Sequence, residues 1–365
     1  MGRTKCPPFL YHDDEVDKVK AFVLHGVGDL RYEDVPKPSP RADEVLVRVK
    51  ASGVCGSDIP RIYRTGAHRH PLIPGHEFAG IVEAAGGADG AAWEGKRVGI
   101  FPLIPCRQCG PCQRKAYEMC QAYGYLGSRQ DGGFAEHVVV PVRNLIALPA
   151  EVSFEEAAML EPMAVAVHAM RRVAVYAEDT VAVCGLGTIG RLLAMVLYAS
   201  GVKRLFLIGN KESQRKFAEN FGEAAFCDVR TESPKAWLAE KSAGKGIDVF
   251  FECVGNNETV QLGVECAAPS GRIVFVGNPA SDMTLKKDVY WQILRRQLSV
   301  TGTWNSSFTG NEDDDWHEVL RLLKAHAISP AEIISHRLAL EDLERGLRIM
   351  RDKMEDFGKI MAVME

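Results

Sequence analysis

Thr180-Val181-Ala182-Val183-Cys184-Gly185-Leu186-Gly187-Thr188-Ile189-Gly190 is the stretch on which the reading of this chain turns. Its first five residues form an uninterrupted strand-like run of the kind buried on both faces of a parallel sheet. A G-x-G-x-x-G pattern follows, and the apolar stretch to Ala199 continues as a helix. The glycine pattern is weak evidence by itself. Placed between a buried strand and a helix start, it reads as a tight turn that lets backbone approach a pyrophosphate at a helix N-terminus. Gly185, Gly187, Thr188, Ile189 and Gly190 are therefore candidate dinucleotide-binding residues.

Downstream, Arg204 to Ile208 reads as a second strand, completing a βαβ unit, and the runs Asp248 to Cys253 and Gly271 to Gly277 continue the pattern. An α/β, doubly wound dinucleotide-binding domain over 164–302 is expected. Upstream, residues 19–160 read as β-rich, with short alternating runs such as Glu44 to Val49 between glycine and proline turns. The tail, 303–365, carries an amphipathic helix (Trp316, Val319, Leu320, Leu323) and a strand-like Lys359 to Val363 expected to return to the first domain. Two domains suit a chain of 365 residues. Residues 1–17 read as an N-terminal extension without the basic start and apolar run of a secretory signal.

Composition narrows the function classes. Hydrophobic residues at 46% and charged residues at 25% are those of a soluble globular protein. A net charge of −4 supplies no basic field for nucleic acid. No apolar stretch reaches spanning length, so no membrane partner is expected and a cytoplasmic location is.

An NAD site calls for an acidic residue near the end of the second strand, to bind the adenine ribose. That place holds Gly209-Asn210-Lys211, with Arg215 one turn on. The missing acid and the cations Lys211 and Arg215 suit a 2′-phosphate, although such cations also decorate ordinary helix starts. NAD or NADP thus both stay open, with Asn210, Lys211 and Arg215 as candidate contacts.

Four of the ten cysteines, Cys106, Cys109, Cys112 and Cys120, fall within fifteen residues with spacing C-x2-C-x2-C-x7-C. Four converging thiolates suit a closed, structural zinc site, an iron-sulfur cluster being the alternative. A second constellation is dispersed: Cys55 and His76 in the β-rich domain, and Glu161 where it ends. One thiolate, one imidazole and one carboxylate leave a fourth position free, which is the ligand arithmetic of a catalytic zinc. Each residue alone has a bland reading as core, hydrogen bonder or ion-pair partner; the combination favours metal. Asp58 is placed to orient the His76 ring. Glu77 is either a ligand or a hydrogen bonder to metal-bound water, and spacing leaves both open.

These motifs together resemble the zinc-containing medium-chain dehydrogenase/reductase family, over nearly the whole chain from about Lys18. The segments Cys55 to Ile62, Gly66 to Pro71, Gly75 to Phe78, Gly127 to Glu136, Glu161-Pro162 and Ile293 to Trp304 point to its polyol-dehydrogenase branch. The resemblance implies a GroES-like catalytic domain (18–163 and 303–365) with a Rossmann domain (164–302) and a cleft between them. It further implies a catalytic zinc on Cys55, His76 and Glu161, a structural zinc on the four clustered cysteines, and a homodimer or homotetramer. The implied reaction is hydride transfer between NAD(P) and a secondary alcohol of a polyol or polyol phosphate of the galactitol 1-phosphate kind. Many relatives have a histidine five residues after the ligand cysteine, where this chain has Pro60. Ser57, water and Glu77 are then the expected proton relay. Glu77, His68 or Tyr63 could meet substrate hydroxyls, and Arg61 or Arg129 a phosphate. Another secondary alcohol (free sorbitol, xylitol or a cyclitol) and a non-catalytic dinucleotide sensor are the competing readings, the sensor opposed by the intact Cys55, His76 and Glu161.

Overall fold

A computed structural model describes residues 17–222, 224–279 and 281–365, so the expected N-terminal extension lies, except for Asp17, outside the described residues. The run Thr180–Cys184 is a fully buried strand at the centre of a six-stranded sheet. Its neighbours are Arg204–Gly209 on one side and Ile247–Glu252 on the other; Ala225–Asp228, Ala267–Phe275 and Ser299–Gly302 complete the sheet, and every pairing is parallel. The chain thus winds outward in both directions from Thr180–Cys184. A crevice opens at the carboxyl ends of the central strands, where such folds bind their ligands.

The second sheet has seven strands in the order Ile334–Leu338, Lys359–Val363, Glu44–Val54, Glu77–Ala85, Arg97–Ile100 and Leu145–Ala147, with His137–Pro141 also paired to Glu44–Val54. The last strand of the chain does return to the first part: Ile360 lies opposite Val54 in antiparallel register.

Two features differ from the sequence reading. The junction between the sheets is helical, with Phe154–Ala158 and Leu160–Arg171. Ser153 and Glu156 form a reciprocal capping box at its start, and Pro162 occupies the first turn of the longer helix, where a missing N–H costs nothing. Both signals are local and were outweighed by the β-rich texture upstream. The strand expected from Gly271 begins at Ala267, because Ser270 takes a left-handed conformation (φ 60°) and the register slips between Ile247 and Val249.

A single apolar cluster runs through both halves. It includes Ala51, Ala79 and Phe101 from the antiparallel side, Met159 to Val167 from the junction helix, and Val181, Val183 and Leu207 from the parallel sheet. Trp316, wholly buried in the helix Asp315–Lys324, closes it: the indole meets Phe101 edge-on at 5.5 Å and donates from Nε1 to Ser306 Oγ at 3.1 Å. Among the described residues no helix is long and apolar enough to cross a membrane. Trp316→Ala should lower the free energy of unfolding by about 3–5 kcal/mol, the usual range for emptying a buried aromatic site; equilibrium denaturation with an unchanged midpoint would refute the placement of this seam.

Candidate active site

Cys55, Ser57, His76, Glu77 and Glu161 border one cavity of about 640 Å3 between the two halves, together with Ile189 from the glycine turn. The strand Glu44–Val54 delivers Cys55 at its end, and the strand Glu77–Ala85 delivers His76 at its start; Gly53 pairs with Glu77, so register sets the two donors side by side. Gly75 has φ 93°, and the backbones of Gly127 and Gly132 pack on its carbonyl so closely that neither could carry a Cβ. His76 is thereby placed by backbone-on-backbone contact.

Donor atoms of Cys55, His76 and Glu77 lie within 4.8 Å of one another. Glu161 reaches the same cavity from the first turn of the junction helix, but its Oε1 accepts from the Tyr125 hydroxyl at 3.1 Å. The convergence therefore includes Glu77, the residue whose role the spacing left open. Glu77 is itself 2% exposed, and its Oε2 is ion-paired with the buried Lys359, whose ammonium also donates to Val54 O at 3.0 Å.

Asp58, fully buried, faces His76 Nδ1 at 3.5 Å, too far to satisfy that nitrogen, which has no hydrogen-bond partner. Its oxygens are engaged by the Cys55 amide at 3.0 Å and by Arg61. Burial works against the Asp58 charge, yet His76, Arg61 and the Cys55 amide hold its carboxyl below the usual range. Glu161 is pushed up by burial, with Glu77 adding to the effect, and the Tyr125 phenol is raised by burial and by the negative groups around it. Three carboxyl groups, Asp58, Glu77 and Glu161, thus face two fixed cations, Lys359 and Arg61. This surplus of negative charge, one soft sulfur, one orphaned imidazole nitrogen and carboxylate oxygens make a donor set that suits zinc.

The four clustered cysteines converge separately, with Sγ–Sγ separations of 3.9 Å (Cys106–Cys112) and 4.0 Å (Cys109–Cys120). Backbone amides of Gln121 and Cys112 lower the Cys109 thiol to about 6, and burial raises Cys112 to about 12. Amides aimed at sulfur favour thiolates, the form a metal takes.

A second cavity, of about 650 Å3, lies over the parallel sheet and is bordered by Gly185, Gly187, Gly209, Asn210 and Gln214. Gly185 has φ 97°, and a side chain on Gly190 would strike the Gly185 carbonyl, so the turn and the helix Thr188–Ala199 can meet only at glycine. Thr188 opens that helix. Lys211 and Arg215 do not border the cavity. Lys211 pairs with Asp356 at 2.8 Å; Arg215 lies on the Phe226 ring, 3.6 Å from Glu212 and 3.7 Å from Asp228. Asp228, in register with Gly209 on the next strand, is held down to about 2 by hydrogen bonds from Arg230.

Of the expected substrate contacts, His68, Arg61 and Arg129 border the active-site cavity. Tyr63 does not; its ring lies beneath Arg351, with the guanidinium 4.6 Å from its centre. Lys359, Tyr125 and Gln214 were missed in the sequence, since a lone lysine in a strand, a tyrosine in a two-residue strand and a helix-start glutamine carry no pattern.

Residues 41–150 match the family described as alcohol dehydrogenase GroES-like domain, and residues 188–325 match zinc-binding dehydrogenase. Galactitol 1-phosphate 5-dehydrogenase of Escherichia coli K12 is 33% identical over 88% of this chain and 92% of its own. The crystal structure of the Escherichia coli galactitol-1-phosphate dehydrogenase superposes with a TM-score of 0.86 at 32% identity, over 94% of this chain and 100% of that one. L-threonine 3-dehydrogenase of Bacillus subtilis is 30% identical over 90% of this chain and 94% of its own. A zinc-binding dehydrogenase of Sinorhizobium meliloti, crystallised with NADP, matches with a TM-score of 0.86 at 27% identity, over 95% and 100% of the two chains.

Lys359→Met should cost about 3–5 kcal/mol by stranding the buried Glu77 charge, and adding Glu77→Gln should recover much of it. A single variant as stable as the parent in urea would show that the pair carries no such weight.

Proposed function

The chain belongs to the zinc-containing medium-chain dehydrogenase/reductase family as a zinc-dependent, NAD(P)-linked alcohol dehydrogenase, and on that premise we propose that it oxidises a polyol phosphate at a secondary hydroxyl to the ketose phosphate. The observation that carries this reading is Arg129. Its guanidinium lies on the Tyr123 face, 4.5 Å from the ring centre, at the wall of the cavity that holds the metal donors. Among the described residues no carboxylate pairs with it, and an unengaged arginine on an aromatic face is well suited to a phosphate. Arg61 is a poorer candidate, because Asp58 already engages it. His68, Thr65 and Asn305 offer polar groups for the remaining hydroxyls.

We assign the catalytic ion to Cys55, His76 and Glu161, with Glu77 beside it, and the structural ion to Cys106, Cys109, Cys112 and Cys120. Bound zinc supplies the Lewis acidity that lowers the pKa of the substrate hydroxyl, and the nicotinamide ring accepts hydride. Ser57, whose Oγ donates to Cys55 Sγ at 3.4 Å, is positioned to relay the hydroxyl proton toward water. With Lys359 on one Glu77 oxygen, the other is left to orient that water. Val165, Ile189, Val276 and Trp304 give the cavity an apolar side that excludes solvent from the reacting carbon. At the adenine end, Gly209 offers no acid to repel a 2′-phosphate, while Lys211 and Arg215 are engaged by carboxylates. Discrimination between NAD and NADP should therefore be weak.

We further propose a homodimer joined at the edge strand Ser299–Gly302. Val300 (39% exposed) and, on the adjacent helix Lys287–Arg295, Tyr290, Trp291 and Leu294 (54%, 55% and 52%) form an apolar margin that a second copy could cover.

Two measurements test these readings. Reduction of ketose phosphates and free ketoses with NADH and NADPH should favour the phosphorylated substrates, with a dinucleotide preference within about tenfold, or about 1.4 kcal/mol. Arg129→Leu should raise KM for the ketose phosphate by about 10- to 100-fold, as loss of a charged hydrogen bond implies, and leave free ketoses unaffected; equal effects on both would favour an unphosphorylated polyol or cyclitol. In sedimentation, Val300→Lys should shift a dimer toward monomer, and a monomeric parent protein would dispose of the edge contact.

A further inference from the structure

Arg191 follows the last glycine of the dinucleotide turn and is 6% exposed, yet among the described residues it has no carboxylate within ion-pair distance. Its Nε donates to Leu186 O and its Nη2 to Ser213 Oγ, both at 3.1 Å. Nη1 has no hydrogen-bond partner and points toward Gly358, 3.2 Å from where a Cβ there would sit. A buried, unpaired guanidinium is unfavourable unless something compensates it.

Arg191 borders a cavity of about 300 Å3, separate from those of the active site and the adenine end. Ser213 and Lys216 line it from the dinucleotide half, and Glu332, Ser335 and Asp356 from the segment that pairs with the antiparallel sheet. Lys216 has no ion-pair partner among the described residues, whereas Asp356 is taken by Lys211 at 2.8 Å and Glu332 accepts from Asn220 at 3.1 Å. Burial lowers the Arg191 pKa, with Asp356 acting in the opposite sense.

We propose that this cavity binds a phosphate-class oxyanion that carries an acidic O–H. Its unprotonated oxygens accept from Arg191 and Lys216, and its O–H donates to Asp356 or Glu332. Sulfate fits poorly, because at neutral pH it has acceptors only and meets two carboxylates. The site is coupled to the dinucleotide. Leu186 O, held by Arg191, also accepts from Gln214 Nε2 at 3.0 Å, and Gln214 Oε1 accepts from the amides of Asn210 at 2.7 Å and Lys211 at 3.1 Å. An anion that fixes Arg191 stiffens the glycine turn and the loop at the adenine ribose together, and so lowers KM for the dinucleotide. This inference does not depend on which alcohol is oxidised.

The test is calorimetric titration of the zinc-loaded, dinucleotide-saturated protein with inorganic phosphate. A saturable site is expected that is weakened at least tenfold by Arg191→Met and by Lys216→Ala, persists unchanged in Arg129→Leu, and is at least tenfold weaker for sulfate. Lys216 is exposed, so its variant keeps the test independent of folding. Phosphate should also lower the dinucleotide KM at least twofold in the parent and not in Lys216→Ala. Absence of saturable binding, wild-type binding in both pocket variants, or loss of binding in Arg129→Leu overturns the site. Equal affinity for sulfate overturns the O–H donor, and an unmoved KM overturns the coupling.

Discussion

A buried carboxylate needs a cation, and Glu77 finds its cation 282 residues away in Lys359. That pair forms only when the last strand of the chain closes on Glu44–Val54, after the whole parallel domain has been inserted between them. Electrostatics at the metal donors and completion of the fold are thus one event. The apolar cluster closed by Trp316 acts in the same sense, since it takes residues from both sheets and from the helix joining them. The two halves share this core while each also keeps an apolar cluster of its own, around Phe250 and Ile273 in the parallel half and around Val47 and Phe78 in the antiparallel half, so it is the shared cluster that ties catalytic geometry to stability.

What could be read from the sequence was whatever is local. The glycine turn, its strand and its helix lie within some twenty residues, and the cysteine lobe within fifteen. Short-range steric and ligand-spacing rules govern such segments, and they were legible. The open donor set was legible only by residue type: a cysteine, a histidine and a glutamate of the right kinds, with no spacing to bind them. Which carboxylate converges with Cys55 and His76 depends on Lys359 drawing on one and Tyr125 holding the other, and both are long-range partners. The junction helix failed for a different reason. Its capping box was present at Ser153 and Glu156, but a local start signal carries little weight against β-rich surroundings.

Charge placement was the least legible layer. Lys211, Arg215 and Arg61 each look unengaged in a linear sequence; Lys211 and Arg215 are met by aspartates from elsewhere in the fold, and Arg61 by Asp58 three residues before it. Arg129 and Arg191 look no different in the sequence, and among the described residues neither meets a carboxylate. Arg129 borders the active-site cavity on the face of Tyr123, and Arg191 is buried behind the glycine turn beside a cavity of its own, so each leaves a guanidinium toward an enclosed space.

The glycine contacts behind His76 have a consequence for how such an enzyme changes its taste. Gly127, pressed on Gly75, is followed at once by Ser128 and Arg129, which border the active-site cavity. The loop is anchored to the turn before His76 by main chain at Gly127 and Gly132 and by Ile73 N donating to Asp131 Oδ1 at 3.0 Å. Replacing the side chains at 128 and 129 therefore leaves that anchor untouched, and a lineage can explore new alcohols without disturbing the chemistry that oxidises them.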